Sequence, residues 1–165
     1  MTTKVKGEVW KFGDDIATSL IAPGQFITGD PEVLQQHVLY GADPEFGKKF
    51  EPGGIIVAGR NFGCESSREI ATQCLKDKGV ALIIAKGFGR IFYRNAVAIA
   101  LPCLMLEDVD EIPDKGVIEA DLETGEVFVE GTGKTLKAQP LPEFLIEYIR
   151  AGGIIPHLKS QMAES

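Results

Sequence analysis

Ile55-Ile56-Val57-Ala58-Gly59-Arg60-Asn61-Phe62-Gly63-Cys64-Glu65-Ser66-Ser67-Arg68-Glu69-Ile70-Ala71 reads as strand, loop and helix in one sweep. The first four residues are apolar without interruption. A run that short, closed by glycine, predicts a strand buried on both faces. Residues 59–65 predict a loop. Residues 66–78 predict a helix with Ile70, Ala71, Cys74 and Leu75 turned inward and Gly79 just past its end as a C-cap. The pattern then repeats, with an apolar strand over 80–85, a helix over 88–100 and a third strand over 103–106. Wholly apolar strands separated by helices imply a parallel sheet covered on both faces, an α/β fold.

Outward from this centre the pattern changes. Residues 6–12 predict a strand, and 13–30 a loop-rich stretch with Pro23-Gly24 as a turn signal. Residues 31–40 predict a helix. Asp30 can cap it, Pro31 suits its first position, and Val33, Leu34, His37 and Val38 would form its inner face. Beyond Asp110, residues 116–122, 126–130 and 135–138 predict short strands joined by glycine-containing turns. Residues 142–151 predict a closing helix with Phe144, Leu145, Tyr148 and Ile149 on one face. The tail after Lys159 reads as loose, and the 165 residues suit one domain.

Composition narrows the function. The chain is 44% hydrophobic and 25% charged, ordinary globular values, with a net charge of −7 that disfavours nucleic acid as a partner. No apolar run is long enough to span a bilayer, and Met1-Thr2-Thr3-Lys4-Val5 lacks a signal-peptide core, so a cytoplasmic location is expected. Cys64, Cys74 and Cys103 are too widely spaced for a disulfide framework or a CxxC metal motif. No metal site is expected in this chain. The charge is uneven: residues 59–95 hold seven cations against three anions, so a local anionic ligand is expected there. Lys76 and Lys78 read instead as solvated charges on a helix face.

The chemistry concentrates in 61–69. Ligands of parallel sheets bind beyond the carboxyl ends of the strands, where free backbone N–H groups attract anions. The next strand ends at Lys86-Gly87-Phe88-Gly89-Arg90 on the same edge, so Ser66, Ser67, Arg68 and Arg90 can face one pocket. Ser66-Ser67-Arg68-Glu69 also fits a capping box, which needs no further function. Arg68 argues for more, because a cation in a helix's first turn opposes the macrodipole by ~0.3–1 kcal/mol and calls for a compensating anion. Arg also suits bidentate carboxylate binding. A serine base would need neighbouring cations and helix N–H groups to stabilise its alkoxide. His37 and His157 lie in other elements, so a Ser-His-Asp triad has no support, and neither a GxGxxG nor a Walker pattern is present.

Asn61-Phe62-Gly63-Cys64-x-Ser66-Ser67-Arg68-Glu69 resembles the NFGCGSSRE signature of the small-subunit family of 3-isopropylmalate dehydratases (isopropylmalate isomerases), aconitase-type swivel domains. Residues 86–95 are similar to the family's second signature, and residues 7–16, 55–59 and 152–154 add to the likeness, which is nearest the short archaeal and anaerobe form. The resemblance implies a swivelling β/β/α domain, mainly parallel with flanking helices and a small β portion from the C-terminal third. It implies a large partner subunit carrying a [4Fe-4S] cluster, in a heterodimer or heterotetramer, with the reaction at the interface. By motif match Ser66 would be the catalytic base and Ser67 and Arg68 would bind substrate carboxylate. The loop after the first strand, here Gln25, Phe26, Ile27 and Thr28, would choose the substrate's side group. That loop, residues 23–30, is expected to be mobile without the partner.

Three departures stand out. The family usually reads Asp-Thr-Asp where this chain has Ala17-Thr18-Ser19, glycine where it has Glu65, and arginine where it has Gln25. Glu65 would crowd the pocket or pair with Arg68. Without an arginine in 25–28, an additional side-chain carboxylate on the substrate is not expected, and a small alkyl group is. The leading expectation is therefore a hydro-lyase subunit of leucine biosynthesis acting on 3-isopropylmalate/2-isopropylmalate. The alternatives are a dehydratase for a methylated malate such as 2,3-dimethylmalate or citramalate, and, from another class, a non-catalytic partner domain of a cluster-binding subunit.

Overall fold

A computed structural model describes residues 3–65 and 69–164. Seven strands form one mixed sheet in the order β4-β3-β2-β1-β5-β6-β7. The parallel half holds β1 (Lys4–Lys11), β2 (Ile55–Ala58), β3 (Leu82–Ala85) and β4 (Cys103–Met105). The antiparallel half holds β5 (Val117–Asp121), β6 (Glu126–Val129) and β7 (Lys134–Lys137), with β5 paired to the free side of β1. This is the expected mainly parallel centre with a small β portion from the C-terminal third.

The apolar runs behave as a sheet covered twice must. Ile56, Ala58, Ile83 and Ala85 point into one core, and Ile55, Val57, Leu82 and Ile84 into the other. Alternate residues face opposite sides, so burial of both faces demands hydrophobicity at every position. The first core lies under α1 (Thr18–Ile21), α2 (Pro31–Gln35), α3 (Phe46–Lys49), α4 (Glu69–Lys78) and α5 (Arg90–Ala98). The second lies between the curled antiparallel strands and α6 (Glu143–Ala151), which buries Ile146 and Ile149 there.

Local signals act where the sequence placed them. Asp30 accepts a hydrogen bond from the Glu32 backbone N–H at 3.0 Å at the start of α2. Gly79, with φ of 95°, ends α4, as its N–H donates to the Lys76 carbonyl and that of Val80 to the Leu75 carbonyl.

Four readings change. The helix expected over 31–40 stops at Gln35 and continues as turns. The buried Leu39 takes a left-handed backbone, φ of 60°, and donates its N–H to the Ile21 carbonyl at 2.9 Å. Phe144 is 56% exposed rather than inward, because α6 presents Leu145, Ile146 and Ile149 to the core. Lys76 and Lys78 are not solvated: both are half-buried, and Lys78 Nζ donates to the carbonyls of Gln35 (3.0 Å) and Gly47 (2.6 Å). Lys76 Nζ reaches the Ala100 carbonyl just beyond α5. Finally, the stretch after Lys159 belongs to a helix, α7 (Ile154–Glu164), whose His157 packs edge-on against Tyr148 of α6. Among the described residues no helix is long and apolar enough to cross a membrane.

Candidate active site

Three loops meet at the carboxyl edge of the parallel strands, following β1, β2 and β3. Backbone hydrogen bonds lace the first two together. Gly59 N–H donates to the Gly13 carbonyl, Asp15 N–H to Arg60, Gly63 N–H to Ile16 at 2.7 Å, and Thr18 N–H to Cys64 at 3.0 Å. Side chains reinforce the lacing: Asp14 Oδ1 accepts from the Arg60 N–H at 2.7 Å, and Asn61 Nδ2 donates to Asp15 Oδ1 at 3.1 Å. The second and third loops join through Phe62, whose N–H donates to the Gly87 carbonyl while its own carbonyl accepts from Gly89. The Phe62, Phe88 and Phe92 rings pack beneath this junction, with Phe62 and Phe92 5.3 Å apart and nearly perpendicular.

Two glycines are required here. Gly63 has φ of 81°, and a Cβ on it would overlap the Phe92 ring. A Cβ on Gly89 would lie 2.6 Å from the Gly63 carbonyl oxygen. The contacts explain why glycine occurs in both signature stretches: the two loops touch backbone to backbone.

The catalytic and carboxylate-binding candidates Ser66, Ser67 and Arg68 lie outside the described residues. Their neighbours are described. Glu65 is exposed with φ of 84°, a left-handed backbone at the position where the resemblance has glycine. Glu69 opens α4. Arg90 is the first residue of α5, exposed at the same sheet edge, and among the described residues no side chain caps the helix start. The N–H groups of the first turn of α5 and the guanidinium together make that corner receptive to anions. The Cys64 thiol is pushed up, first by burial and then by the Asp15 and Glu65 carboxylates. It is therefore a protonated, weakly nucleophilic group at neutral pH.

Residues 25–28 flank α4. Gln25 and Phe26 lie in a 3-10 turn, Gly24–Phe26, and Phe26 is half-buried against the core rather than enclosed. Ile27 and Thr28 line a cavity of about 250 Å³ with Leu34 of α2 and Ile70, Gln73 and Cys74 of α4. Ala17, buried, and Ser19, exposed, stand where the resemblance has acidic residues. A more open cleft of about 510 Å³ lies away from these loops, at the amino ends of β1 and β2, and mixes Lys6, Glu8, Lys49 and Glu51 without a convergent charge.

The sequence does not mark Asp14, Asp15 and Asn61 as clips between loops, and it places His37 only on the inner face of a helix. The paired acids just after β1 were the available signal for the first, and the Phe26 contact of His37 has none, since it is tertiary.

Cys74 sits in α4 and Cys103 in β4, both buried, and burial pushes the Cys74 thiol up to about 12 and raises Cys103 as well. Among the described residues no three His, Cys, Asp or Glu side chains gather as a metal site.

Residues 35–108 match the aconitase C-terminal domain family. The isopropylmalate/citramalate isomerase small subunit of Methanocaldococcus jannaschii is 48% identical over 167 residues, spanning 100% of this chain and 99% of that one. The chain belongs to the 3-isopropylmalate dehydratase small-subunit family. A second member, the 3-isopropylmalate dehydratase small subunit of Nautilia profundicola, is 49% identical and covers 98% of each chain. The crystal structure of 3-isopropylmalate dehydratase from M. jannaschii superposes with a TM-score of 0.90 at 41% identity, over 97% of this chain and 96% of that one. Aconitase X from Thermococcus kodakaraensis shares the fold at a TM-score of 0.57 and 22% identity, over 78% and 91%. Residues 61–65 of the first signature and 86–89 of the second are thus the stretches seen interlocked at the sheet edge.

Proposed function

We propose that this chain is the small subunit of a heteromeric, aconitase-type hydro-lyase that interconverts 3-isopropylmalate and 2-isopropylmalate in leucine biosynthesis. The observation that carries the reading is the end-to-end relationship to proteins named as small subunits of that enzyme. A large partner follows from the same names, and the iron–sulfur cluster belongs to that partner in this proposal. When bound there, the cluster supplies the Lewis acid for the departing hydroxyl.

The residues of this chain then do the following. Ser66 takes the proton from the substrate carbon, its alkoxide stabilised by Arg68 and the cationic corner that includes Arg90. Ser67 and Arg68 hold a substrate carboxylate, the guanidinium in two parallel hydrogen bonds. Residues 25–28 meet the substrate's side group. A methylated malate as substrate is the second reading. It is favoured by the relative whose name includes citramalate.

The test is reconstitution with the large subunit and assay of a panel of hydroxy-diacids. Ser66→Ala should abolish turnover while substrate still binds. Arg68→Lys should instead weaken binding, since an ammonium cannot reproduce a guanidinium's paired hydrogen bonds. If Ser66 serves only as a helix cap, Ser66→Ala costs ~0.5–2 kcal/mol of stability and spares the rate per folded molecule. Ser66→Asp separates the roles, because Asp caps as well as Ser but places a negative charge beside the substrate. A stable, fully active Ser66→Asp enzyme would end the catalytic assignment.

A further inference from the structure

The segment 25–28 is held by an aromatic clamp that no signature residue contributes to. The Phe26 ring stacks on the His37 imidazole with centroids 3.8 Å apart and planes only 9° from parallel. Tyr40 packs edge-on beside the stacked pair, 5.1 Å from Phe26 and 5.5 Å from His37. The imidazole is fixed in turn, because its Nδ1 lies 2.7 Å from the Val33 carbonyl oxygen of the preceding turn. The same early ending of α2 that breaks the expected helix makes this possible. Leu39, anchored to the Ile21 carbonyl, folds the chain into turns, and the Tyr40 N–H donates to the His37 carbonyl at 3.0 Å. Both rings thereby face Phe26. Ile27 and Thr28, the next residues along, are the ones that border the α4 cavity with Ile70. A ring that fixes Phe26 therefore fixes how far Ile27 and Thr28 stand from the first turn of α4.

We propose that His37 and Tyr40 are positioning residues for substrate selection: their clamp on Phe26 sets the placement of Ile27 and Thr28 and so the size of side group admitted. The proposal rests on the reading of 25–28 as the substrate-selecting segment. Neither ring touches substrate in it. Each acts through Phe26.

The test uses the enzyme reconstituted with its large subunit and two substrates, 2-isopropylmalate and citramalate (2-methylmalate), which differ only in the alkyl group on the hydroxyl-bearing carbon. The reading is the ratio of their kcat/KM values. His37→Ala removes the stacked ring and should shift the ratio about tenfold, with kcat on the better substrate changing less than KM. His37→Phe keeps a stacking ring and should restore the ratio to within about twofold of the unaltered enzyme. Tyr40→Ala, at a residue 38% exposed, should shift the ratio in the same direction. It also serves if His37→Ala fails to fold. Hydrogen exchange on each folded variant should show faster exchange of the Ile27 and Thr28 amides in both alanine variants. An unchanged ratio in the alanine variants, or a failure of His37→Phe to rescue it, overturns the proposal. An unaltered enzyme that turns over neither substrate overturns the functional reading itself, and the clamp's selective role with it.

Discussion

Glu65 holds a left-handed backbone in an exposed loop, where a residue with a Cβ is disfavoured by ~1–2 kcal/mol. The lacing of 13–18 to 59–65 imposes it, since the Gly63 and Cys64 backbone groups on one side are already committed to Ile16 and Thr18. Glu65→Gly should therefore stabilise the chain by about 0.5–1 kcal/mol, the relief of strain less the extra freedom glycine has when unfolded. Urea unfolding should show a higher midpoint with an unchanged slope. Glu65→Gln keeps the Cβ and should show no such gain. Gly63 is the opposite case. Its Cβ would meet the Phe92 ring, so no alanine fits without displacing the aromatic cluster under the site. The identity of the residues in this loop was legible, including the strangeness of Glu65 against the family pattern. What was not legible is the backbone angle that Glu65 takes, because φ is set by hydrogen bonds to residues 16–18, far away in sequence.

At the scale of elements, α2, α3 and α4 are tied by one ammonium group. Lys78 donates to Gln35 at the end of α2 and to Gly47 within α3, where four helix carbonyls per C-terminus lack intrahelical partners. Gln35 Nε2 adds a second link from α2 to α4, donating to the Cys74 carbonyl at 3.2 Å, and Gly47 sits so close to Gln36 that a Cβ would overlap its carbonyl. Burial lowers the Lys78 pKa, which is the cost of placing it there. Lys78→Met keeps the apolar stem but loses both hydrogen bonds, and should destabilise the protein by about 1–3 kcal/mol. Hydrogen exchange should localise the loss to residues 31–49. The boundaries of α4, its cap at Gly79 and the cap at Asp30 were readable because each depends on neighbours a few residues away. Lys78 read as a solvated charge because nothing in its own helix shows that two other helices end beneath it. Phe144 failed in the same way: Phe144, Leu145, Tyr148 and Ile149 share a helical face, but which face meets the sheet was decided by how α6 docks.

For the whole molecule, the two buried thiols make stability depend on alkaline pH. The folded chain holds the Cys74 proton up to about 12, whereas an exposed thiol releases it near 9.0, and Cys103 is shifted in the same direction. The folded state thus binds protons the unfolded state has lost. Stability from these thiols is complete below pH 9.0 and falls as pH rises toward the folded value, by ~1.4 kcal/mol per unit per thiol. Urea midpoints at about pH 8 and about pH 10 should differ, and a Cys74→Ala, Cys103→Ala double variant should shrink the difference while starting less stable from lost packing. The proposed division of labour gives a second outcome at this scale. The chain purified without its large subunit should show no iron–sulfur absorbance and no dehydration of any hydroxy-diacid. A stoichiometric cluster on the isolated chain would contradict it.

The sequence alone determined the parallel centre, the loops at its carboxyl edge and the family. Apolar runs such as Ile55 to Ala58 encode two-sided burial at every residue, caps encode helix ends within one turn, and the 61–69 and 86–95 signatures stand uninterrupted in the chain. Tertiary structure alone decided the placement of β5 against β1, the end of α2 at Gln35, the partners of Lys78 and the stacking of Phe26 on His37. Each of these is a choice among partners distant in the chain. Propensity and periodicity describe only what a residue prefers locally, and here a carbonyl, a strand edge or a ring brought close by folding supplied the energy that chose.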